Sequence, residues 1–324
     1  MTVEGGPHEV RVRRTGGEPA GLDEVEDRLR AALAGPGAPR WLGQLVGGVP
    51  DLECDTLGAG SPGRLREAFH NSGRLLSILF AEQDRRLEPA RSGRLVRMVV
   101  RTGRGGAFCL SVVPGQHVVG FAHDVGPDGV AAAGAAMIGL VDRLRADLGL
   151  RSQNPGGLAA RRDAAHPAAA GDGPEGPAGA DPPTTAGVTA GPLFDRAAAL
   201  LDGAALQWVG HVRDEAVVFT ADRFADRRLA RHFRLMSAPA RRRFYESFAA
   251  EVVPLTGRLD RLVRSPLGGP LDGLVLDLEQ GALLVQRLGP REHLVGVTVD
   301  QERVAAAEEA LAALTRSLRT GEGG

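Results

Sequence analysis

The sequence predicts an α+β protein: two copies of a five-stranded antiparallel sheet with flanking helices, each in the order α-β-β-α-β-β-β-α, joined by a flexible linker. Three observations carry this. A pattern of strand, turn, strand, turn, strand and amphipathic helix at 271–318 recurs at 95–148. Its landmarks coincide, with Gly106-Ala107 matching Gly281-Ala282, Pro114 matching Pro290, and His117-Val118-Val119-Gly120 matching His293-Leu294-Val295-Gly296. Between the copies, residues 151–190 turn abruptly to Ala, Gly, Pro, Asp and Thr.

Residues 1–20 are polar and read as a flexible tail, with a frayed edge strand at 8–14 as the alternative. The first domain, 21–150, opens on a helix at 22–33, where Leu22, Val25, Leu29 and Leu33 recur at helical steps before Gly35-Pro36-Gly37. Strands are expected at 41–49 and 52–57, with their turn at Pro50-Asp51. Ser61 is a natural N-cap and Pro62 a first helical residue for a helix striped by Leu65, Phe69, Leu76, Leu79 and Phe80. Gly73 weakens its middle by roughly 0.5–1 kcal/mol relative to alanine. Strands at 95–102, 107–113 and 117–123 and a helix at 129–148 complete the domain.

The linker, 151–190, has too few large apolar side chains to offset its ordering entropy, and as a random coil spans roughly 35 Å. The second domain, 191–320, begins with a helix at 193–201 and strands at 206–212 and 216–220. A helical region at 225–264 follows, broken at Ala238-Pro239 and kinked at Pro254. Phe244, Phe248, Val252, Leu255, Leu259 and Leu262 form its apolar stripe. Strands at 271–279, 282–288 and 293–299 and a helix at 301–318 end the copy.

Charge is balanced, with 39 basic against 40 acidic residues, which excludes the basic footprint of a nucleic-acid or anionic-membrane binder. Every basic residue other than histidine is arginine, so P-loop and Schiff-base lysine chemistry is excluded. Cys54 and Cys109 stand far apart, which fits a reducing compartment better than a disulfide or zinc scaffold. With no apolar leader and no run of ~18–20 apolar residues, a cytoplasmic protein without membrane insertion is expected.

No catalytic, cofactor-binding or metal set emerges. Ala59-Gly60-Ser61-Pro62-Gly63 falls one residue short of a nucleophile elbow, and Pro62 has no N–H for an oxyanion. The glycines of 102–106 precede a strand, so a hairpin turn at positive φ explains them better than a phosphate loop. His117 and His123 share a strand face but lie ~20 Å apart, too far for one metal, and His123 and Asp124 are expected to point to opposite faces. Asp222, Asp226, Glu246, Asp277 and Glu279 form no pair of defined separation. Arg241, Arg242 and Arg243, with Phe244 and Tyr245, are the one local basic-aromatic group. Arg241, Arg242, Arg243 and Tyr245 are therefore the candidate partner-binding residues, if that run is not simply the solvated face of a helix.

The order of elements resembles the Roadblock/longin-like family, which includes dynein light chains and bacterial small-GTPase partners. Residues 193–220 carry the likeness for the first helix and hairpin, 273–299 for the meander and 304–318 for the last helix, with 22–150 a looser match. The chain departs from the family in its duplication and in the enlarged helical region 225–264. The resemblance implies a non-enzymatic interaction module that pairs within a chain or between chains and regulates or scaffolds a small GTPase. Two alternatives stay open: a secretion-chaperone-like protein gripping an amphipathic client helix along 244–262, and a PAS- or profilin-like sensor with a cavity between sheet and helices.

Overall fold

The structure, a computed structural model, describes residues 9–15, 21–58, 63–157, 182–201 and 205–320. Expectations for Ala59 to Pro62, including the Ser61 cap, and for most of the linker lie outside the described residues. The fold is α+β with antiparallel strands, and it divides into two compact units that do not coincide with the halves of the sequence. Unit 1 comprises Met1–Arg85, Leu95–Gln153 and Gly257–Asp272, and unit 2 comprises Arg86–Arg94, Asn154–Thr256 and Gly273–Gly324. Contacts account for the traded segments. Ser72 donates to the Leu262 carbonyl and Arg258 pairs with Glu82 in unit 1, while Gln280 N donates to the Ser92 carbonyl in unit 2.

In unit 1, strand β1 (Arg11–Arg14) and helix α1 (Leu22–Leu33) precede the hairpin β2 (Trp41–Val46) and β3 (Val49–Asp55). Helix α2 (Gly63–Leu87) leads to the meander β4 (Leu95–Thr102), β5 (Gly105–Val113) and β6 (Gln116–His123), and helix α3 (Pro127–Asp147) closes it. Its strand order is β1-β3-β2-β6-β5-β4, antiparallel at each step. The hairpin turn is at Gly47-Gly48, not at Pro50-Asp51. Both glycines have positive φ (58° and 81°), as a two-residue turn matched to strand twist requires. Pro50 instead sits within β3 beside a register shift, where a missing N–H costs least.

Neighbouring strand residues show how the layers form. Trp41 packs on Phe69 of α2, with ring centroids 6.3 Å apart, while Leu42 and Met137 of α3 both crowd Gly120. The sheet is thus covered by α2 on one face and by α3, with α1 beside it, on the other. Gly73 earns its place through this packing: a Cβ there would lie 2.8 Å from the Trp41 ring. The glycines at 105 and 106 lack positive φ. They begin β5, where a Cβ would strike the Ala122 carbonyl or Val130, so close packing and not a turn explains them.

Unit 2 repeats the scheme. Strand β7 (Thr184–Gly187) and helix α4 (Pro192–Ala199) precede β8 (Trp208–Arg213), β9 (Ala216–Asp222), α5 (Ala238–Ala250) and α6 (Val252–Leu267), the last running into unit 1 from Gly257. The meander is β10 (Leu271–Leu278), β11 (Ala282–Gly289) and β12 (Glu292–Thr298), followed by α7 (Val304–Arg319). The order β10-β11-β12-β8-β9-β7 is again antiparallel throughout.

Several expectations need correction. Arg11–Arg14 and Thr184–Gly187 are edge strands, on β3 and β9, and not parts of a flexible tail and linker, because partners remote in sequence supply their hydrogen bonds. Each unit therefore carries six strands among its described residues. Residues Arg227–Phe233 form a 3-10 helix capped by Asp226 where an α-helix was expected from 225 to the break at Ala238-Pro239. The break near Pro254 falls earlier, at Glu251, which leaves Pro254 in the first turn of α6, where no N–H is needed.

Candidate functional site

The strand registers of the two units match residue for residue. Trp41 pairs with Asp55 and Trp208 with Asp222, and each carboxylate accepts a backbone N–H two residues on, from Leu57 and Phe224, at 3.0 Å. The helix behind each hairpin then contributes one arginine: Arg66 binds Asp55, and Arg242 binds Asp222 through two hydrogen bonds. Asp84 on α2 and Asp260 on α6 likewise accept from the first N–H groups of β4 and β10, Leu95 and Leu271. Such equivalences align α2 with α5 and α6 together.

In unit 2 the Trp-Asp-Arg group is closed. Glu246 accepts from Thr220, and Asp222 is fully buried. In unit 1 the matching positions hold Glu53 and His70, whose Oε1 and Nδ1 lie 2.5 Å apart, and Arg13 on β1 approaches Glu53 at 3.5 Å. The result is a cleft of about 460 Å³ lined by Arg11, Arg13, Trp41, Glu53, Arg66 and His70. Its carboxylates and cations neutralise one another across the strand pairing Arg11 with Asp55 and Arg13 with Glu53.

The candidate partner-binding residues separate. Arg241 and Tyr245 are each 2% exposed. The Arg241 guanidinium donates to the Ala90 carbonyl and stacks 5.2 Å from the Phe233 ring, and Tyr245 packs among Trp208, Phe224 and Phe244. Both are covered, Arg241 by residues 90 and 233 and Tyr245 by the strand residue Trp208. Arg242 is held by Asp222, which raises its pKa through the charged hydrogen bond, and only Arg243 of the four is open to water. Of the stripe expected to grip a client helix, Phe248, Val252, Leu255, Leu259 and Leu262 are buried and Phe244 is half-buried.

Several other titratable groups are buried or hydrogen-bonded within the fold. Burial lowers the pKa of His117 and His293 to about 4 each, and their rings contact Ser77 and Thr256 hydroxyls at 2.7 and 3.1 Å. Burial likewise pushes Cys54 up to about 12 and Cys109 well above the ordinary thiol range. Asp277 accepts from Gly156 N and Gln301 Nε2. His123 Nε2 lies 3.4 Å from Asp124 Oδ2, because Asp124 adopts a left-handed backbone past the strand end and swings its side chain back. No group of three His, Cys, Asp or Glu among the described residues could hold a metal.

Two exposed aliphatic pairs were not legible as such in the sequence. Val46 and Val49, register partners at the hairpin tip, and Leu75 and Ile78 on α2 are 47%, 57%, 52% and 50% exposed. A Cβ on Gly48 would lie 3.1 Å from Ile78 Cγ1, so the hairpin turn lies beside α2, while Val46 and Val49 follow Leu42 onto the opposite face of the sheet. Their counterparts in unit 2 are Arg213, Ala216, Glu251 and Pro254, where Arg213 pairs with Glu292 and Glu251 with Arg86. The α2 periodicity carried a trace of this, for Leu75 and Ile78 fall outside the stripe that includes Leu76, Leu79 and Phe80.

No family model, curated protein or solved structure matches the chain. Among the described residues no helix is long and apolar enough to cross a membrane.

Proposed function

We propose that this chain is a non-enzymatic, cytoplasmic interaction protein built from two Roadblock/longin-like domains, each with a five-stranded core sheet, and that it regulates or scaffolds a small GTPase. The observation that carries the interaction reading is the exposure of two aliphatic pairs in unit 1, Val46 with Val49 at the hairpin tip and Leu75 with Ile78 on α2. The equivalent positions of unit 2 are Arg213, Ala216, Glu251 and Pro254, so these exposed aliphatic side chains belong to one copy of the repeat alone. The hairpin-then-meander strand order in both units supports the family resemblance, and the GTPase follows from that resemblance alone. The test is to add the protein to small GTPases of its native cytosol and follow nucleotide turnover and co-purification. A response lost in Ile78→Asp supports the reading; no recovered GTPase and unchanged turnover count against it.

A second reading, a small-molecule sensor, is favoured by the unit 1 cleft, whose volume falls within the range of ligand sites. Its lining is mostly charged and mutually paired, so it ranks behind. Thermal-shift screening with Arg13→Ala and His70→Ala as controls tests it, and no shift across a metabolite library removes it.

A further inference from the structure

Residues 223–237 join β9 to α5 and carry five arginines, at 223, 227, 228, 231 and 234, against one acid, Asp226. The matching connection of unit 1, residues 56–62 between β3 and α2, has no charged residue. The balance of charge over the whole chain, which speaks against a broad basic face, therefore hides a local cationic excess in one copy of the repeat. Its centre is the 3-10 helix Arg227–Phe233, in which no residue is buried. Side chains three apart eclipse one another in such a helix, so it has three edges. Phe233 lies on the edge that holds the helix down, packing on Phe224 and Arg241. A second edge is Arg228, Arg231 and Arg234, spaced about 6 Å along the axis, since the cap Arg234 keeps helical dihedrals. The third edge, Leu229 and His232, leads to Leu235, which is 77% exposed.

The acids beside these arginines are recessed and the cations project. The Arg228 and Arg231 side chains are 73% and 67% exposed, whereas their partners Asp226 and Asp300 are 19% and 16% exposed. Arg227 and Arg234 are exposed and have no ion-pair partner among the described residues.

We infer that this segment docks on an anionic phospholipid surface, with its arginines at the lipid phosphates and Leu235 in the apolar layer beneath. Guanidinium groups fork onto phosphate oxygens, and clustered arginines are drawn to a negatively charged bilayer. An aliphatic side chain held in water beside them gains where an apolar layer adjoins the charged one, as in a bilayer. Single-stranded nucleic acid fits less well. It stacks its bases on open aromatic rings, and here Phe224 and Phe233 pack on each other and Phe233 on Arg241. The inference stands apart from the GTPase reading, which involves neither this segment nor lipid.

The test is sedimentation of the full chain with vesicles of phosphatidylglycerol and phosphatidylcholine in equal parts, against vesicles of phosphatidylcholine alone. Binding is expected to the anionic vesicles only, and it should fall as salt screens the charges. Arg227→Glu with Arg234→Glu should weaken it more than about tenfold, since each arginine near such a surface counts for about fivefold. Leu235→Ser should weaken it about tenfold. Arg74→Glu with Arg85→Glu, the same change of net charge at exposed positions of unit 1, should leave it nearly unchanged. Thermal midpoints should hold throughout, because every altered position is exposed. Absence of binding to the anionic vesicles overturns the inference. So does binding that the unit 1 pair weakens as much as Arg227→Glu with Arg234→Glu. Binding undiminished by Leu235→Ser overturns it too, and tighter capture by polyglutamate or by a single-stranded oligonucleotide would then identify the anion as protein or nucleic acid.

Discussion

Arg242 engages the buried Asp222 carboxylate through Nε and Nη2, at 2.5 and 2.8 Å, and Arg66 approaches Asp55 at the equivalent place in unit 1. Removing a buried partner leaves the other charge uncompensated and costs about 3–5 kcal/mol, less where water reaches the survivor. The Arg242 side chain is 22% exposed, so Asp222→Ala should cost about 2–4 kcal/mol, including the lost Phe224 N–H acceptor. Asp55→Ala should cost less, because the Asp55 side chain is less buried than that of Asp222, its bonds to Arg66 are longer, and Arg66 keeps its bond to the Leu57 carbonyl. Denaturant midpoints of the two variants check the ranking, and equal midpoints would refute it.

His117 and His293 are buried with pKa values near 4, below the ordinary 6.5. The unfolded chain therefore binds more protons than the folded one between those values. Stability is full above pH 6.5 and falls as pH drops toward 4. The loss between pH 7 and pH 5 should be about 2 kcal/mol for each histidine. Urea unfolding at both pH values checks this: His117→Gln and His293→Gln should each flatten the acid limb, and a limb unchanged in both would show that other groups govern it.

Gly73→Ala sets helix propensity against packing. The methyl group would sit 2.8 Å from Trp41 Cη2, so overpacking of about 1–3 kcal/mol should outweigh the gain of up to ~1 kcal/mol from replacing a mid-helix glycine. In α3, Gly139 meets only the far end of Arg143, at 3.6 Å, so Gly139→Ala should stabilise by about 0.5–1 kcal/mol. Opposite shifts in thermal midpoint are the expected outcome.

Arg241 and Arg243, two positions apart on α5, should behave oppositely. Arg241→Ala deletes a buried guanidinium with its bond to Ala90 and its stacking on Phe233, at about 2–4 kcal/mol. Arg243→Ala, on the solvent side, should stay within about 0.5 kcal/mol. Near-neutral behaviour of Arg241→Ala would contradict its buried role.

What the sequence by itself determined is the run of elements and their repetition. The periodicities that mark α1, α3 and the two meanders belong to residues close along the chain, and His117 and His293 mark equivalent places in both copies. Wherever partners come from far away, the tertiary structure decided. It made edge strands of Arg11–Arg14 and Thr184–Gly187, which have no hydrogen bonds until β3 and β9 offer them. It turned Arg241 and Tyr245 inward, although their spacing suits either face of a helix, because Phe233, Ala90 and Trp208 wait on that side. It also left Leu75 and Ile78 in water. An apolar side chain states only that burial would be favourable, and whether anything covers it depends on elements the local pattern does not contain.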